Sequence, residues 1–160
     1  MGRITRLLAA LALGLLLAVG CTSSADDAEQ RLLAADRAFL QATIDGGLDG
    51  WMSFFTEDAT RVDLQGGTAV GLEEIREADA PLFEAGGLRL RWEPETAVAF
   101  AGGREGLTRG RYTLIRPQQD GEPEVAGRGA YLTLWRLEDG RFKVYLDTGA
   151  PDPPEGKLID

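Results

Sequence analysis

The sequence predicts an α+β domain in which three N-terminal helices pack against a curved antiparallel sheet. Between Ala28 and Phe83 apolar residues recur mostly every three or four positions, the period of helices with one buried face. After Gly87 the chain alternates apolar and polar residues in runs parted by glycine and proline, the period of strands. At 160 residues without an internal repeat there is room for one domain and one core.

The first twenty residues stand apart. Arg3 and Arg6 precede an apolar run from Leu7 to Val19, and no acidic residue occurs before Asp26, the layout of an export signal. The run falls short of the about 20 apolar residues that span a membrane. It stops at Cys21, the only cysteine, which has no partner for an internal disulfide. Leu17-Ala18-Val19-Gly20-Cys21 resembles the bacterial lipoprotein signal-peptidase box, with Ala18 where that box usually carries leucine. The resemblance implies a signal peptide over residues 1–20 and a lipidated Cys21 as the mature N-terminus. Several acyl chains on one cysteine meet the requirement for stable attachment. The expected location is the bacterial cell envelope, lipid-anchored to a membrane and facing away from the cytoplasm. Residues 21–27 read as a polar tether. The net charge of −9 becomes more negative once Arg3 and Arg6 are removed, which argues against a nucleic-acid partner and keeps an anchored domain soluble.

The domain proper is expected over residues 28–151, with a flexible tail at 152–160. Its first helix, Ala28 to Asp45, sets Leu32, Leu33, Phe39, Leu40, Thr43 and Ile44 on one arc and ends at Gly46-Gly47. Asp36 falls on the same arc, one turn from Leu32 and Phe39. A buried carboxylate needs a cation or several donors, and an ion pair with an arginine of the sheet is expected ahead of an acid-base role. Asp49 can cap a second helix, Gly50 to Thr56, apolar nearly all round through Trp51, Met52, Phe54 and Phe55. Ala59 to Leu64 alternates as a strand, Gln65-Gly66-Gly67 turns, and Thr68 to Val70 returns. Gly71 opens a third helix through Ile75, which Pro81 should kink or end before Gly86-Gly87.

Five strand segments follow: Leu88 to Trp92, Thr96 to Ala101 beyond Pro94, Leu107 to Arg116, Val125 to Leu137 and Arg141 to Thr148. A polar connection fills 117–123, and Glu138-Asp139-Gly140 makes a hairpin turn. Strict alternation groups Tyr131, Thr133 and Trp135 on one face, and groups Asp147 with Lys143 and Tyr145 away from Phe142 and Val144. Gly110, Gly127 and Gly129 fit strong curvature.

This element order resembles the nuclear-transport-factor-2-like superfamily, with its ketosteroid-isomerase-like and SnoaL-like members. The residues that carry it are Gly47-Leu48-Asp49-Gly50, Phe55, Glu57-Asp58-Ala59-Thr60, Gly71-Leu72-Glu73-Glu74-Ile75-Arg76 and Asp139-Gly140-Arg141-Phe142-Lys143-Val144. A second resemblance, from Leu32 through Pro151, rests on Gly110-Arg111-Tyr112, Gly129-Ala130-Tyr131, Trp135 and Asp147-Thr148-Gly149. It is to a family of the same fold, many members exported, known only as domain of unknown function 4440. Both imply a cone-shaped domain whose helices and curved sheet enclose a pocket.

The isomerase resemblance implies that Asp63, ending Asp58-Ala59-Thr60-Arg61-Val62-Asp63, is the general base. Such a reaction also needs donors at the developing oxyanion, a tyrosine and a protonated aspartate in ketosteroid isomerase, the standard example of this chemistry. Here the tyrosine's position falls on Phe39, and no aspartate lies near Tyr131 to Thr133. Losing one such donor costs about 2.7–4 kcal/mol. Tyr131, Tyr112 or Arg109 could substitute. Against the catalytic reading stands a strand-end aspartate that is merely paired or solvated. Tyr131 and Trp135 read first as core aromatics, and Asp147 as a structural partner of Arg109 or Arg111.

With no histidine, His-based triads and His-ligated metal are excluded, and with its single cysteine at the leader the chain offers no thiol site. No cofactor and no metal are expected. The reading is a lipid-anchored domain that binds a small, mainly apolar ligand. Its pocket candidates are Asp36, Phe39, Trp51, Phe55, Arg109, Tyr112, Tyr131, Trp135 and Asp147. Two alternatives stand beside it: an isomerase, cyclase or dehydratase with Asp63 as base, and a homodimerisation module without ligand.

Overall fold

The computed structural model describes residues 23–84, 87–118 and 121–153. The expected leader, the lipidation at Cys21, the tail beyond residue 153 and Gly86 lie outside the described residues. Helix α1 (Ser23–Met52) leads into β1 (Phe55–Val62), β2 (Thr68–Val70) and helix α2 (Leu72–Asp79). A 3-10 turn, Ala80–Phe83, precedes β3 (Arg89–Phe100), and β4 (Glu105–Arg116), β5 (Glu124–Glu138) and β6 (Arg141–Pro151) complete the chain. The strands form one six-stranded sheet in the order β2-β1-β6-β5-β4-β3, curved and unclosed, with the helices against one face.

The first two expected helices are the two arms of α1, joined at Gly47 with φ 56° and ψ −132°, a conformation side chains with a Cβ resist. The first arm begins at Ser23, so residues 23–27 are helical rather than an irregular tether. The second arm is shorter than expected. Phe55 and Thr56 open β1, because the chain from Phe54 onward pairs with β6: Phe54 O accepts from Val144 N at 2.8 Å. Pro81 does end α2, in the 3-10 turn. Pro94 interrupts nothing, since β3 lies at the sheet edge and absorbs it with a register shift between Pro94 and Thr96.

Two features of the sheet bear on the site. β1 runs parallel to β6, with Arg61 opposite Asp147, whereas the other neighbouring strands are antiparallel. In the β5–β6 pair, Leu134 faces Leu146 but Trp135 faces Val144, which leaves Tyr145 as an extra residue. Such a bulge reverses the facing of everything beyond it. Asp147 is therefore buried on the helix side with Phe142 and Val144, a correction to the face expected from strict alternation.

The core is centred on Phe39, whose ring lies 4.7 Å from Trp51, 5.0 Å from Trp92 and 5.1 Å from Phe54, centroid to centroid. Edge contacts follow with Phe55 at 5.9 Å and Trp135 at 6.1 Å. Each such aromatic pair adds about 0.5–1.5 kcal/mol beyond burial. This plug fills one end of the space between helices and sheet. The other end stays open.

Candidate functional site

A cavity of about 270 Å³ lies between α2, the 3-10 turn that follows it and the helix-facing side of the sheet. Its apolar lining comes from Phe39, Trp51, Leu64, Leu82, Leu88, Leu90, Trp92 and Leu114. Its polar lining is concentrated on Arg61, Asp79, Thr133 and Asp147, with Tyr112 and Tyr131 beside them and Asp63 at the edge.

Three elements bring the polar groups together. Arg61 comes from β1, Asp147 from the neighbouring β6, and Asp79 from the last turn of α2, where it follows buried Ile75 by one turn. Arg61 Nε lies 3.4 Å from Asp147 Oδ2 and 3.5 Å from Asp79 Oδ2, with no hydrogen bond of its own. Its Nη1 donates to the carbonyl of Val62. Trp51 Nε1 donates to Asp79 Oδ2 at 2.9 Å, and Thr133 Oγ1 to Asp147 Oδ1 at 2.6 Å. Burial pushes the Asp147 carboxyl up to about 6 against the opposing pull of Arg61 and Thr133. Burial likewise raises Asp79, opposed by Arg61 and Trp51.

A third buried carboxylate, Asp36, stands directly behind the cavity wall. Asp36 Oδ1 accepts from Trp92 Nε1 at 2.6 Å, and Oδ2 accepts from the Tyr131 hydroxyl at 2.8 Å. Neutral donors thus hold it where a sheet arginine was expected. Burial raises its carboxyl despite those donors, and burial, with the same pairing added, raises the Tyr131 hydroxyl far above its ordinary value.

Of the residues singled out from sequence, Phe39, Trp51, Asp63, Tyr112, Tyr131 and Asp147 line the cavity. Asp36 is one hydrogen bond behind it. Phe55 and Trp135 belong to the aromatic plug, and Trp135 Nε1 donates to Thr108 Oγ1 at 2.8 Å. Arg109 is a correction. Gly106, Thr108, Gly110 and Tyr112 of β4 face the helices, so the intervening Arg109 and Arg111 point out from the opposite face. Asp147 accordingly pairs with Arg61 and not with either of them. Asp63 Oδ1 accepts from the backbone N–H of Gln65 at 2.7 Å and Gly67 at 2.8 Å, bonds that hold the β1–β2 turn. They also keep its carboxyl below the usual range.

Arg61 and Asp79 were missed as site residues. Both had a signal. Arg61 shares a strand face with Ala59 and Asp63, and Asp79 interrupts the apolar stripe of α2 as Asp36 interrupts that of α1.

A sequence profile described as a SnoaL-like domain matches residues 37–145. No curated protein matches the chain. Among solved structures, a ketosteroid isomerase-like protein from Erwinia carotovora atroseptica superposes with a TM-score of 0.64 at 18% identity, over 79% of this chain and 98% of that one. An NTF-2 like protein of unknown function from Shewanella oneidensis gives 0.60 at 16% identity, over 76% and 97%. A protein assigned as a calcium/calmodulin dependent protein kinase II association domain from Xanthomonas campestris gives 0.65 at 14%, over 78% and 89%. At such identities the likeness establishes a common fold.

Proposed function

The chain belongs to the SnoaL-like domain family, and on that premise we propose that its cavity binds a small, mainly apolar organic molecule, in a domain carried at the bacterial envelope by lipid on Cys21. The observation that carries this reading is the contrast within one cavity. Leucine and aromatic walls supply burial energy for an apolar body, while Arg61, Asp79, Thr133 and Asp147 concentrate polar groups that can fix one end. Filling the space should abolish binding. Leu114→Trp is expected to remove calorimetric binding of a panel of small aromatic and alicyclic alcohols and amines. Wild type binding none of the panel would contradict the reading.

The alternative is proton-shuttling isomerase, cyclase or dehydratase chemistry with Asp63 as base. Family membership and the position of Asp63 at the cavity edge favour it. Its difficulty is chemical. Asp63 is held below the usual carboxylate range by the turn it caps, so it is a weak base. Trp92 and Tyr131 already donate to Asp36, so they do not converge on a ligand oxygen. Turnover of enolisable ketones by wild type and its loss in Asp63→Asn would establish the enzyme; the same absence of turnover in both sinks it.

The bare outer face of the sheet, with Val98 49% exposed, supports homodimerisation as a further property, as does the likeness to an association domain.

A further inference from the structure

We propose that the cavity selects an organic cation, a protonated amine on a small apolar body, a reading that rests on the cavity being a ligand site. The first argument is charge. One guanidinium is shared between Asp79 and Asp147, and a third carboxylate, Asp63, lines the edge, so the lining carries more negative charge than Arg61 balances. Arg61 is more than nine-tenths buried; its Nε sits between the two carboxylates without a hydrogen bond, and its Nη1 is turned back to the carbonyl of Val62. Its charge is shared by the two carboxylates beside it.

The second argument is hydrogen-bond direction. Trp51 donates to Asp79, Trp92 and Tyr131 donate to Asp36, and Thr133 donates to Asp147. Each of these donors is spent within the protein. What Tyr131, Thr133 and the carboxylates still offer is lone pairs, and a ligand with N–H groups is the one that uses them. The hydroxyls of Tyr112 and Thr148 can turn either way. Asp79 engages the groups named above through Oδ2, leaving Oδ1 for a further donor.

The third argument is the wall. Phe39, Trp51, Trp92, Tyr112 and Tyr131 all line the cavity, and aromatic faces attract cations. A neutral ligand would gain burial from these rings, whereas an ammonium ion gains burial, ring attraction and carboxylate pairing together. An anion would meet repulsion.

Three probes built on one phenylethyl frame separate the cases: 2-phenylethylammonium, 2-phenylethanol and 3-phenylpropionate, titrated calorimetrically at pH 7.5. The ammonium should bind about tenfold or more tightly than the alcohol, and the carboxylate should bind least. Asp147→Asn should cut the ratio of ammonium to alcohol affinity to about twofold. Asp79→Asn serves the same purpose if the first variant fails to fold. Lowering the pH to 5 should weaken the ammonium and not the alcohol. The groups facing Asp147 are Arg61 of β1, Asp79 of α2, Thr133 of β5 and, behind the wall, Asp36 of α1, and protonating any of these carboxyls acts in the same direction. Alcohol or carboxylate binding as tightly as the ammonium would overturn the cation selectivity while leaving the ligand site standing. Binding by none of the three would overturn both.

Discussion

Asp147 is the residue on which charge, burial and cavity meet. Its carboxyl titrates near 3.8 in an unfolded chain and near 6 in the folded one, so between those values the folded chain holds the extra proton. Its contribution therefore favours folding below about pH 4 and is lost as pH rises through about 6. Two pKa units correspond to about 3 kcal/mol. Relative to wild type, Asp147→Asn should gain that amount between pH 4 and pH 7, read by urea unfolding of both proteins at each pH. An unchanged difference would place Asp147 in a solvated site. Asp36 makes the complementary case. Asp36→Leu strands the donors of Trp92 and Tyr131 and should cost about 2–6 kcal/mol, whereas Asn keeps one acceptor and should cost less. Urea midpoints of the two variants rank them. That Asp36 would be buried was legible from its place on the apolar arc of its helix. Its partners were not, because Trp92 and Tyr131 arrive from strands 56 and 95 residues away.

Among the elements, those with a local cause were legible and those set by pairing were not. Gly47 marks the break in α1, and Asp139 and Gly140, both at positive φ, make the β5–β6 turn. The bulge at Tyr145 has no such mark, because nothing in the alternation of β6 announces an extra residue. That one residue moved Asp147 from the face opposite Phe142 and Val144 to theirs. The end of the second helical arm was misjudged for a related reason: Phe54 and Phe55 suit a buried helix or strand equally, and only β6 decides between them. Gly129 of β5 tests how tightly the sheet backs the cavity. A Cβ there would stand 2.2 Å from Ala150 O and 2.4 Å from the Tyr112 ring. Gly129→Ala should cost about 1–3 kcal/mol and push Tyr112 toward the cavity, seen as a lower urea midpoint and weaker ligand binding. Full stability in this variant would mean that the sheet relaxes freely there.

For the whole molecule, periodicity and element order were enough to expect helices packed on a curved sheet, and the family resemblance implied the pocket between them. The parallel β1–β6 pair was beyond their reach, since parallel pairing joins segments distant in sequence. The proposed lipid anchor makes its own prediction: Cys21→Ser should move the protein from the membrane to the soluble fraction, and a membrane-bound variant would contradict lipidation. The cavity itself carries an internal control. Trp51 and Trp92 line it, whereas Trp135 is sealed in the plug with its N–H on Thr108. The most direct measurement is therefore a two-dimensional NMR titration of the three indole N–H resonances with 2-phenylethylammonium. Saturable shifts at Trp51 and Trp92 with Trp135 still are the expected result, and three stationary indoles, or a shift confined to Trp135, would contradict the cavity as the ligand site.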